Sequence, residues 1–220
     1  MSKVYFIYSD VAVRFDTGTG KIDRTARPLR KIWPSLPPEW SSCDAVLNYG
    51  RGLIYFFKGQ KFVRYNILSN SVDWGEDDNG QPGYHIAKYL QGFPAHWPKV
   101  DAAVNYGNGR IYLFYQDEYA RYDIYENRID QEIKKTHANW IGIPEEWLKF
   151  DGALNYGDGK IYFFLNGMQV RFDIDTERVD QPIKSIADAW SDVSPGAIPV
   201  TAPLEPDPIS VTDRRTIPQR

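Results

Sequence analysis

The amino-acid sequence has little sulfur, no excess of positive charge and no long hydrophobic run. Its 220 residues include one cysteine and two methionines. Because Cys43 is alone, no intramolecular disulfide can form, and both a disulfide-stapled fold and a multi-cysteine zinc site are excluded. Twenty-six basic residues against 29 acidic residues give a net charge of −3, so we expect no nucleic-acid partner. No window approaches the roughly eighteen consecutive apolar residues of a membrane span, and we expect none.

The first residues lack the apolar stretch and the small-residue cleavage site of a secretory signal. We therefore expect a protein that is cytoplasmic or is exported without a cleavable N-terminal signal, and the compartment itself stays open. Aromatic residues are abundant, with 15 tyrosines, 11 phenylalanines and 7 tryptophans. Tyrosine and phenylalanine favour strands, so these numbers predict a mainly β protein.

An internal repeat organises the chain. The segment Asp44–Gly50 recurs at Asp101–Gly107 and Asp151–Gly157, at offsets of 57 and 50 residues. A tryptophan stands four residues before each leading aspartate, an arginine twenty after it, and a second aspartate nine after the arginine. These satellites are Trp40, Trp97 and Trp147, then Arg64, Arg121 and Arg171, then Asp73, Asp130 and Asp180. Arg14 and Asp23 fit the same grid, so there are four copies and the first lacks its beginning.

Each copy has the pattern of a small sheet followed by a short helix. The second copy predicts strands at Ala45–Tyr49, Leu53–Phe57 and Lys61–Tyr65 and near Val72, and the last copy predicts a helix at Ile183–Trp190. Strands that are apolar on both faces need like sheets on either side, which predicts an all-β, four-bladed β-propeller with short helices between blades. The predicted propeller spans residues 1–195, with blades at about 1–40, 41–97, 98–147 and 148–195, followed by a proline-rich tail at 196–220.

The second copy carries the most specific motif. Its segment Tyr55–Gly59 (YFFKG) and the following Val63–Tyr65 (VRY) resemble the repeat of the hemopexin family, and the other copies match it less closely over residues 3 to about 195. The resemblance implies a four-bladed propeller. The family includes haem carriers, docking domains of extracellular proteases, plant seed albumins and small bacterial proteins, so the fold does not choose among these functions. The family often ties its first and last blades with a disulfide, which a single cysteine forbids here.

The first copy has no inner strand in the sequence, and an open sheet edge would be prone to pairing. One hypothesis is that residues 198–212 return to supply that strand, with Thr201–Leu204 (TAPL) as a degenerate echo of Asp44–Leu47 (DAVL). The other interpretation is a proline-rich linker. If the tail leaves the ring open, the exposed edge favours a dimer; otherwise we expect a monomer.

The leading aspartates are the best candidates for a functional site. In a four-bladed ring, copies of one inner-strand position meet around the axis, and a ring of main-chain oxygens suits a hard cation such as Ca²⁺ or Na⁺. The resemblance implies the same, since hemopexin-like channels commonly hold ions through main-chain atoms of this pair. The predicted channel residues are Asp44, Ala45, Asp101, Ala102, Asp151 and Gly152, with the backbone oxygens of Asp44, Asp101 and Asp151 as metal ligands. The alternative is that the aspartate side chains only cap neighbouring strands.

Other repeated residues are explained by the fold. The arginines are predicted to hold structural ion pairs or to bond blade carbonyls, and the three tryptophans to pack at blade junctions rather than to form a carbohydrate platform. Haem needs an axial ligand such as imidazole, but His85, His96 and His137 occupy unrelated repeat positions. The acidic insertion at 73–80 either attracts a cation or polyamine or is simply solvated.

No motif of catalysis stands out, so the sequence predicts a protein that is not an enzyme. The expected function is a non-catalytic module that binds a small ligand or ion, namely haem, a polyamine or a metal cation, at the central channel. The alternative is a docking module for a protein or a glycan that uses a blade face or edge, as part of a secreted or toxin-associated system.

Overall fold

The computed structural model describes residues 3–191, 193 and 198–201. Four antiparallel sheets follow one another along the chain, and short strands pair with the outer edge of two of them. The first sheet contains β1 (Lys3–Tyr8), β2 (Val11–Asp16) and β3 (Lys21–Pro28). The second contains β4 (Ala45–Gly50), β5 (Leu53–Lys58), β6 (Lys61–Asn66), β7 (Ser71–Trp74) and β8 (Tyr84–His85). The third contains β9 (Ala102–Gly107), β10 (Arg110–Tyr115), β11 (Glu118–Asp123), β12 (Arg128–Ile129) and β13 (Lys134–Lys135). The fourth contains β14 (Gly152–Asn155), β15 (Lys160–Leu165), β16 (Met168–Asp173) and β17 (Arg178–Ser185), and the last strand is β18 (Ile198–Thr201).

The sheets are the blades of a propeller. Their strand orders, from the axis outwards, are β18-β1-β2-β3, β4-β5-β6-β7, β9-β10-β11-β12 and β14-β15-β16-β17. Each inner strand lies next to the inner strand of the following blade, and β18 lies next to both β14 and β4. The ring is therefore closed, and the predicted all-β, four-bladed propeller is confirmed. None of the helices in the described part of the chain is long and apolar enough to cross a membrane.

Short helices connect the blades, as the sequence predicted. They are α1 (Leu29–Ile32), α2 (Ile86–Tyr89), α3 (Thr136–Asn139) and α4 (Ile186–Ala189), and a 3-10 turn at Pro38–Ser41 precedes the second blade. The predicted helix at Ile183–Trp190 is too long, because β17 pairs with β16 as far as Ser185 and takes Ile183 into the sheet.

The core lies between neighbouring blades and is largely aromatic. At the junction of blades 3 and 4, the Phe163 ring lies 5.5 Å from Phe114, 5.1 Å from Trp140 and 4.6 Å from Phe150. The repeat tryptophans Trp40, Trp97 and Trp147 are 2%, 0% and 5% exposed. They are packing residues, and a carbohydrate platform built from them is excluded by their burial.

The inner strand of the first blade comes from the far end of the chain. β18 pairs antiparallel with β1, so that Ile198 lies opposite Ile7 and Thr201 opposite Val4. Pro199 is buried opposite Phe6, although a proline cannot donate to the ladder. The hypothesis of a returning strand named residues 198–212, of which 202–212 lie outside the described residues.

The predicted register of that strand is wrong by four residues. The sequence aligned Thr201 with the leading aspartates of the other copies. In the structure Thr201 pairs with Val4, and the equivalent pair in the fourth blade is Asn155 with Ile161, so Thr201 matches Asn155 rather than Asp151. The reason is that the connection from the last helix to β18 is shorter than the connection from α3 to β14. Ile143 and Val193 occupy the same turn after their helices, yet nine residues lead from Ile143 to Gly152 and five from Val193 to Ile198.

Candidate functional site

The predicted channel residues lie at the start of three inner strands. Asp44, Asp101 and Asp151 directly precede β4, β9 and β14, and Ala45, Ala102 and Gly152 are the first residues of those strands. Each aspartate N–H donates to a carbonyl of the second strand, with all three distances at 2.8 Å. The repeat therefore gives three blades the same geometry at the same end of the ring.

The aspartate side chains are bound within their own blades. Asp44 Oδ2 accepts the Gly59 N–H at 2.7 Å, Asp101 Oδ2 accepts the Gln116 N–H at 2.8 Å, and Asp151 Oδ2 accepts the Asn166 N–H at 2.7 Å. Each carboxylate thus caps the hairpin turn between the second and third strands. One oxygen of each carboxylate is occupied in this way. No group of three or more His, Cys, Asp or Glu side chains within residues 3–191, 193 and 198–201 is placed to hold a metal.

A lysine lies beside two of these aspartates. Lys99 Nζ is 2.8 Å from Asp101 Oδ1. Burial by itself would lower the pKa of Lys99, but the hydrogen bond to Asp101 and the charges of Asp101 and Asp44 outweigh burial and raise it. The ammonium group therefore offsets negative charge at this end of the channel. In the fourth blade the corresponding residue is Lys149, two positions before Asp151.

Asparagines of the repeat link the inner strands to one another. Asn105 Nδ2 donates to the Tyr49 carbonyl of the preceding blade at 2.8 Å, and Asn155 Nδ2 donates to the Asn105 carbonyl at 2.8 Å. Their Oδ1 atoms accept the N–H groups of Gly107 and Gly157 at 3.0 and 2.9 Å. Sequence reasoning missed this role, although an asparagine at the same place in three copies was a visible signal.

The predicted ion pairs of the repeat arginines are confirmed in all four blades. Each guanidinium makes two hydrogen bonds to the aspartate nine residues later, with distances of 2.8–3.0 Å. A tyrosine directly across the sheet contacts the same guanidinium; the pairs are Tyr5–Arg14, Tyr55–Arg64, Tyr112–Arg121 and Tyr162–Arg171. The bidentate pair ties the third strand of each blade to its outer edge.

The acidic insertion of the second blade is bound to the rest of that blade. Asp73 pairs with Arg64, Asp78 with Lys88, and Asp77 Oδ1 accepts the N–H groups of Asn79 and Gln81 at 2.9 Å each. The side chains thus hold the loop together, which favours the interpretation of a solvated structural loop over a cation site.

The histidines lie apart in the fold. His85 is in β8, His96 Nε2 is 2.9 Å from Glu118 Oε2, and His137 Nε2 is 2.8 Å from the Pro144 carbonyl oxygen. Their places give no indication of a pair that converges on haem. Burial raises the pKa of the Cys43 thiol to about 12, which disfavours the thiolate form.

Comparison with known proteins agrees with this geometry. The hemopexin family model matches residues 43–95, which contain the most typical copy of the repeat. The macrophage metalloelastase of Rattus norvegicus is 29% identical over 109 residues, which are 49% of this chain and 21% of that protein. The chain therefore spans about a fifth of the length of that curated relative.

Several solved structures share the whole fold. A hemopexin fold protein from cow pea is 19% identical with a TM-score of 0.71. A plant albumin from Cicer arietinum showing hemagglutination is 20% identical with a TM-score of 0.72. A plant lectin with two metal binding sites from Cicer arietinum is 20% identical with a TM-score of 0.71. In each case 86% of this chain and 90% of the other chain are covered. At such identities the likeness shows the fold alone.

The class of protein is thus a single-chain, four-bladed β-propeller of the hemopexin fold. The repeat motif and the family model over residues 43–95 support the hemopexin-like family that the sequence resembles, and the solved structures show the same fold.

Proposed function

We propose that this propeller is a non-catalytic binding module that holds a cation at its central channel. The observation that carries the proposal is the threefold recurrence of an aspartate followed by alanine or glycine at the start of adjacent inner strands. One oxygen of each carboxylate caps a hairpin turn, and no three such side chains in the described part of the chain are grouped to hold a metal, so main-chain oxygens are the proposed ligands. Oxygen ligands of this kind suit Ca²⁺ or Na⁺.

The fourth corner of the ring supports main-chain rather than carboxylate ligation. The sequence contains no aspartate between Val193 and Thr201, so β18 cannot repeat the carboxylate of the other blades but does continue the ring of inner strands. The related Cicer arietinum lectin is described with two metal binding sites, and this is compatible with the proposal without placing a metal here. Haem and a polyamine are the other candidate ligands, and they are included in the test.

Lys99 provides a sharp test of position. If a cation binds near the inner-strand aspartates, removal of the neighbouring ammonium group should strengthen its binding by Coulomb's law. We expect Lys99→Ala to raise the affinity for Ca²⁺ several-fold, because its ammonium lies 2.8 Å from Asp101. Lys149→Ala should change it less, because Lys149 is exposed and makes no ion pair with Asp151 in the described part of the chain.

The experiment is native mass spectrometry of the untagged protein purified without chelator, with CaCl₂, NaCl, spermine and hemin added in turn, followed by calorimetric titration of whichever probe binds. A stoichiometric calcium or sodium adduct that Lys99→Ala strengthens supports the channel site. An adduct that neither lysine variant changes places the ligand elsewhere, and the absence of every adduct rejects the carrier function.

A further inference from the structure

A cleft between the third and fourth blades has a lining suited to a small polar ligand. Its volume is about 200 Å³. Five aromatic residues line it, namely Tyr106, Tyr112, Tyr119 and Trp140 from blade 3 and Phe172 from blade 4. Tyr106 and Tyr112 are half-buried, and the other three are only 2–3% exposed. Trp140 lies 4.9 Å from Tyr112 and 4.8 Å from Phe172, with its ring tilted steeply against both. Burial raises the pKa of Tyr106 to about 12, so its hydroxyl group stays neutral.

In the second blade, aromatic side chains fill the corresponding place. Trp74 follows Asp73, Tyr84 lies opposite Phe62 across the sheet, and Tyr89 ends helix α2. The Trp74 and Tyr84 rings are 5.6 Å apart and those of Tyr84 and Tyr89 4.7 Å apart. Trp74 also stacks on the Arg64 guanidinium, at 4.0 Å from its ring centre.

In blade 3 the same three positions are polar. Gln131 follows Asp130, Lys134 lies opposite Tyr119, and Asn139 ends helix α3. All three line the cleft. Lys134 and Asn139 are exposed, and no hydrogen bond or ion pair holds their side chains among the residues that the structure describes. A site that is plugged by three rings in one blade is thus open and lined by hydrogen-bonding groups in the next.

Trp140, which lines the cleft, carries a donor without an acceptor. Trp140 Nε1 is buried, and it has no hydrogen-bond partner in the described part of the chain. In blade 4 the matching Trp190 donates its indole N–H to Gln169, whereas in blade 3 Tyr119 takes the place of Gln169. A buried N–H without a partner destabilises the fold at this place, so blade 3 carries a donor that blade 4 satisfies within the protein.

We propose that this cleft binds a neutral pyranose unit, either a free hexose or the terminal sugar of a glycan. A pyranose ring presents an apolar C–H face, which packs on the half-buried rings of Tyr106 and Tyr112, and an edge of hydroxyl groups, which pairs with amide and ammonium groups such as Asn139 and Lys134. The charges of the cleft favour a neutral ligand, because Asp130 binds Arg121 in a bidentate pair and Glu177 on the opposite rim offsets Lys134. The tested ligands are methyl glycosides of glucose, galactose, mannose and N-acetylglucosamine, with glucuronic acid as the acidic comparison.

The test is saturation-transfer NMR with the full chain, followed by titration of tryptophan fluorescence with each glycoside that gives a signal. Asn139→Ala should weaken binding by about tenfold through the loss of a ligand hydrogen bond. Asn139→Tyr combined with Lys134→Tyr introduces two of the three rings that fill the corresponding place in blade 2 and should abolish binding. Lys184→Tyr is the matched control, because Lys184 lies opposite Gln169 as Lys134 lies opposite Tyr119, and it should leave binding unchanged.

Circular dichroism and thermal unfolding establish that the plugged variant is folded, and Asn139→Ala gives an independent answer from an exposed position. Binding of a neutral glycoside that both variants reduce and Lys184→Tyr does not would support the assignment. Binding of glucuronic acid alone would overturn the neutral preference. Absence of binding by every probe, or binding that is equal in all variants, would overturn the site itself, whatever the result for calcium.

Discussion

Asn105 gives the most exact prediction about the channel ring. Its side chain makes two hydrogen bonds, one inside its own blade to the Gly107 N–H and one across to the Tyr49 carbonyl of the neighbouring blade. Asn105→Ala removes both and leaves two backbone groups without partners, so the free energy of unfolding should fall by about 2–3 kcal/mol. For a chain of this size that corresponds to a decrease in melting temperature of about 4–12 °C.

Asn105→Asp separates the two bonds. An aspartate keeps the acceptor for the Gly107 N–H but places a carboxylate oxygen against the Tyr49 carbonyl oxygen, where the amide now donates at 2.8 Å. The folded state should therefore raise the pKa of the introduced carboxyl, because only its protonated form can donate. A raised carboxyl pKa means that the neutral form stabilises the fold, so the loss of stability should be largest at pH 7 and shrink as the pH falls through that pKa.

The assay is urea unfolding followed by tryptophan fluorescence at pH 7 and pH 5, with the wild type measured at both values so that other titrations cancel. Gln91→Ala, at an exposed position, serves as the control and should be nearly neutral. A loss below about 0.5 kcal/mol for Asn105→Ala would refute the reasoning, since surface substitutions lie in that range. A loss for Asn105→Asp that is equal at both pH values would show that its carboxyl does not face the Tyr49 carbonyl.

Three further predictions concern single groups. Gly83→Ala should destabilise by about 2–3 kcal/mol in urea unfolding, since a Cβ there would lie 2.7 Å from Trp40, while Gly80→Ala, with a similar positive φ and open space, should cost clearly less. Hydrogen bonds from His96 and Trp97 lower the pKa of Glu118 to about 2. Glu118 therefore stabilises the fold above its unfolded pKa of about 4.3, and this contribution should disappear as the pH falls towards 2. Glu118→Gln should flatten the dependence of the unfolding free energy on pH in this range. Iodoacetamide should label Cys43 in the folded protein far more slowly than in urea at pH 8.

The fold could be predicted from the sequence because four copies carry the same information. A strand pattern in one copy would be ambiguous, but arginines at positions 14, 64, 121 and 171, each followed by an aspartate nine residues later, fix the boundaries of all four blades. The ion pairs followed for the same reason, since a residue needed by every blade recurs in every blade. The register of β18 could not be predicted, because its connection from Val193 is shorter than in the other blades and its sequence keeps no repeat motif.

The contacts between blades were beyond the sequence for a different reason. Asn105 was visible as a repeated residue, but its partner is the carbonyl of Tyr49, 56 residues earlier, and only the arrangement of inner strands brings the two together. The cleft of blade 3 could not be seen in the sequence because the acidic insertion changes the spacing of the matching residues. Trp74 and Tyr84 are ten positions apart in the second copy, whereas Gln131 and Lys134 are three apart in the third. Only the pairing of Tyr84 with Phe62 and of Lys134 with Tyr119 shows that these positions match.

A repeat protein thus offers its own internal control for function. A side chain that recurs at one place in every blade is sufficiently explained by the stability of a blade, as the bidentate arginine pairs are. A side chain that departs from its copies in a similar environment has no such explanation. Asn139 in the cleft is of this kind, because the second and fourth blades have Tyr89 and Ala189 at the matching places. Exchanging such a residue between blades changes a candidate site while the blade framework stays the same. A loss of binding without a loss of stability would show that the residue serves function. Equal losses of binding and stability would show that it serves the fold.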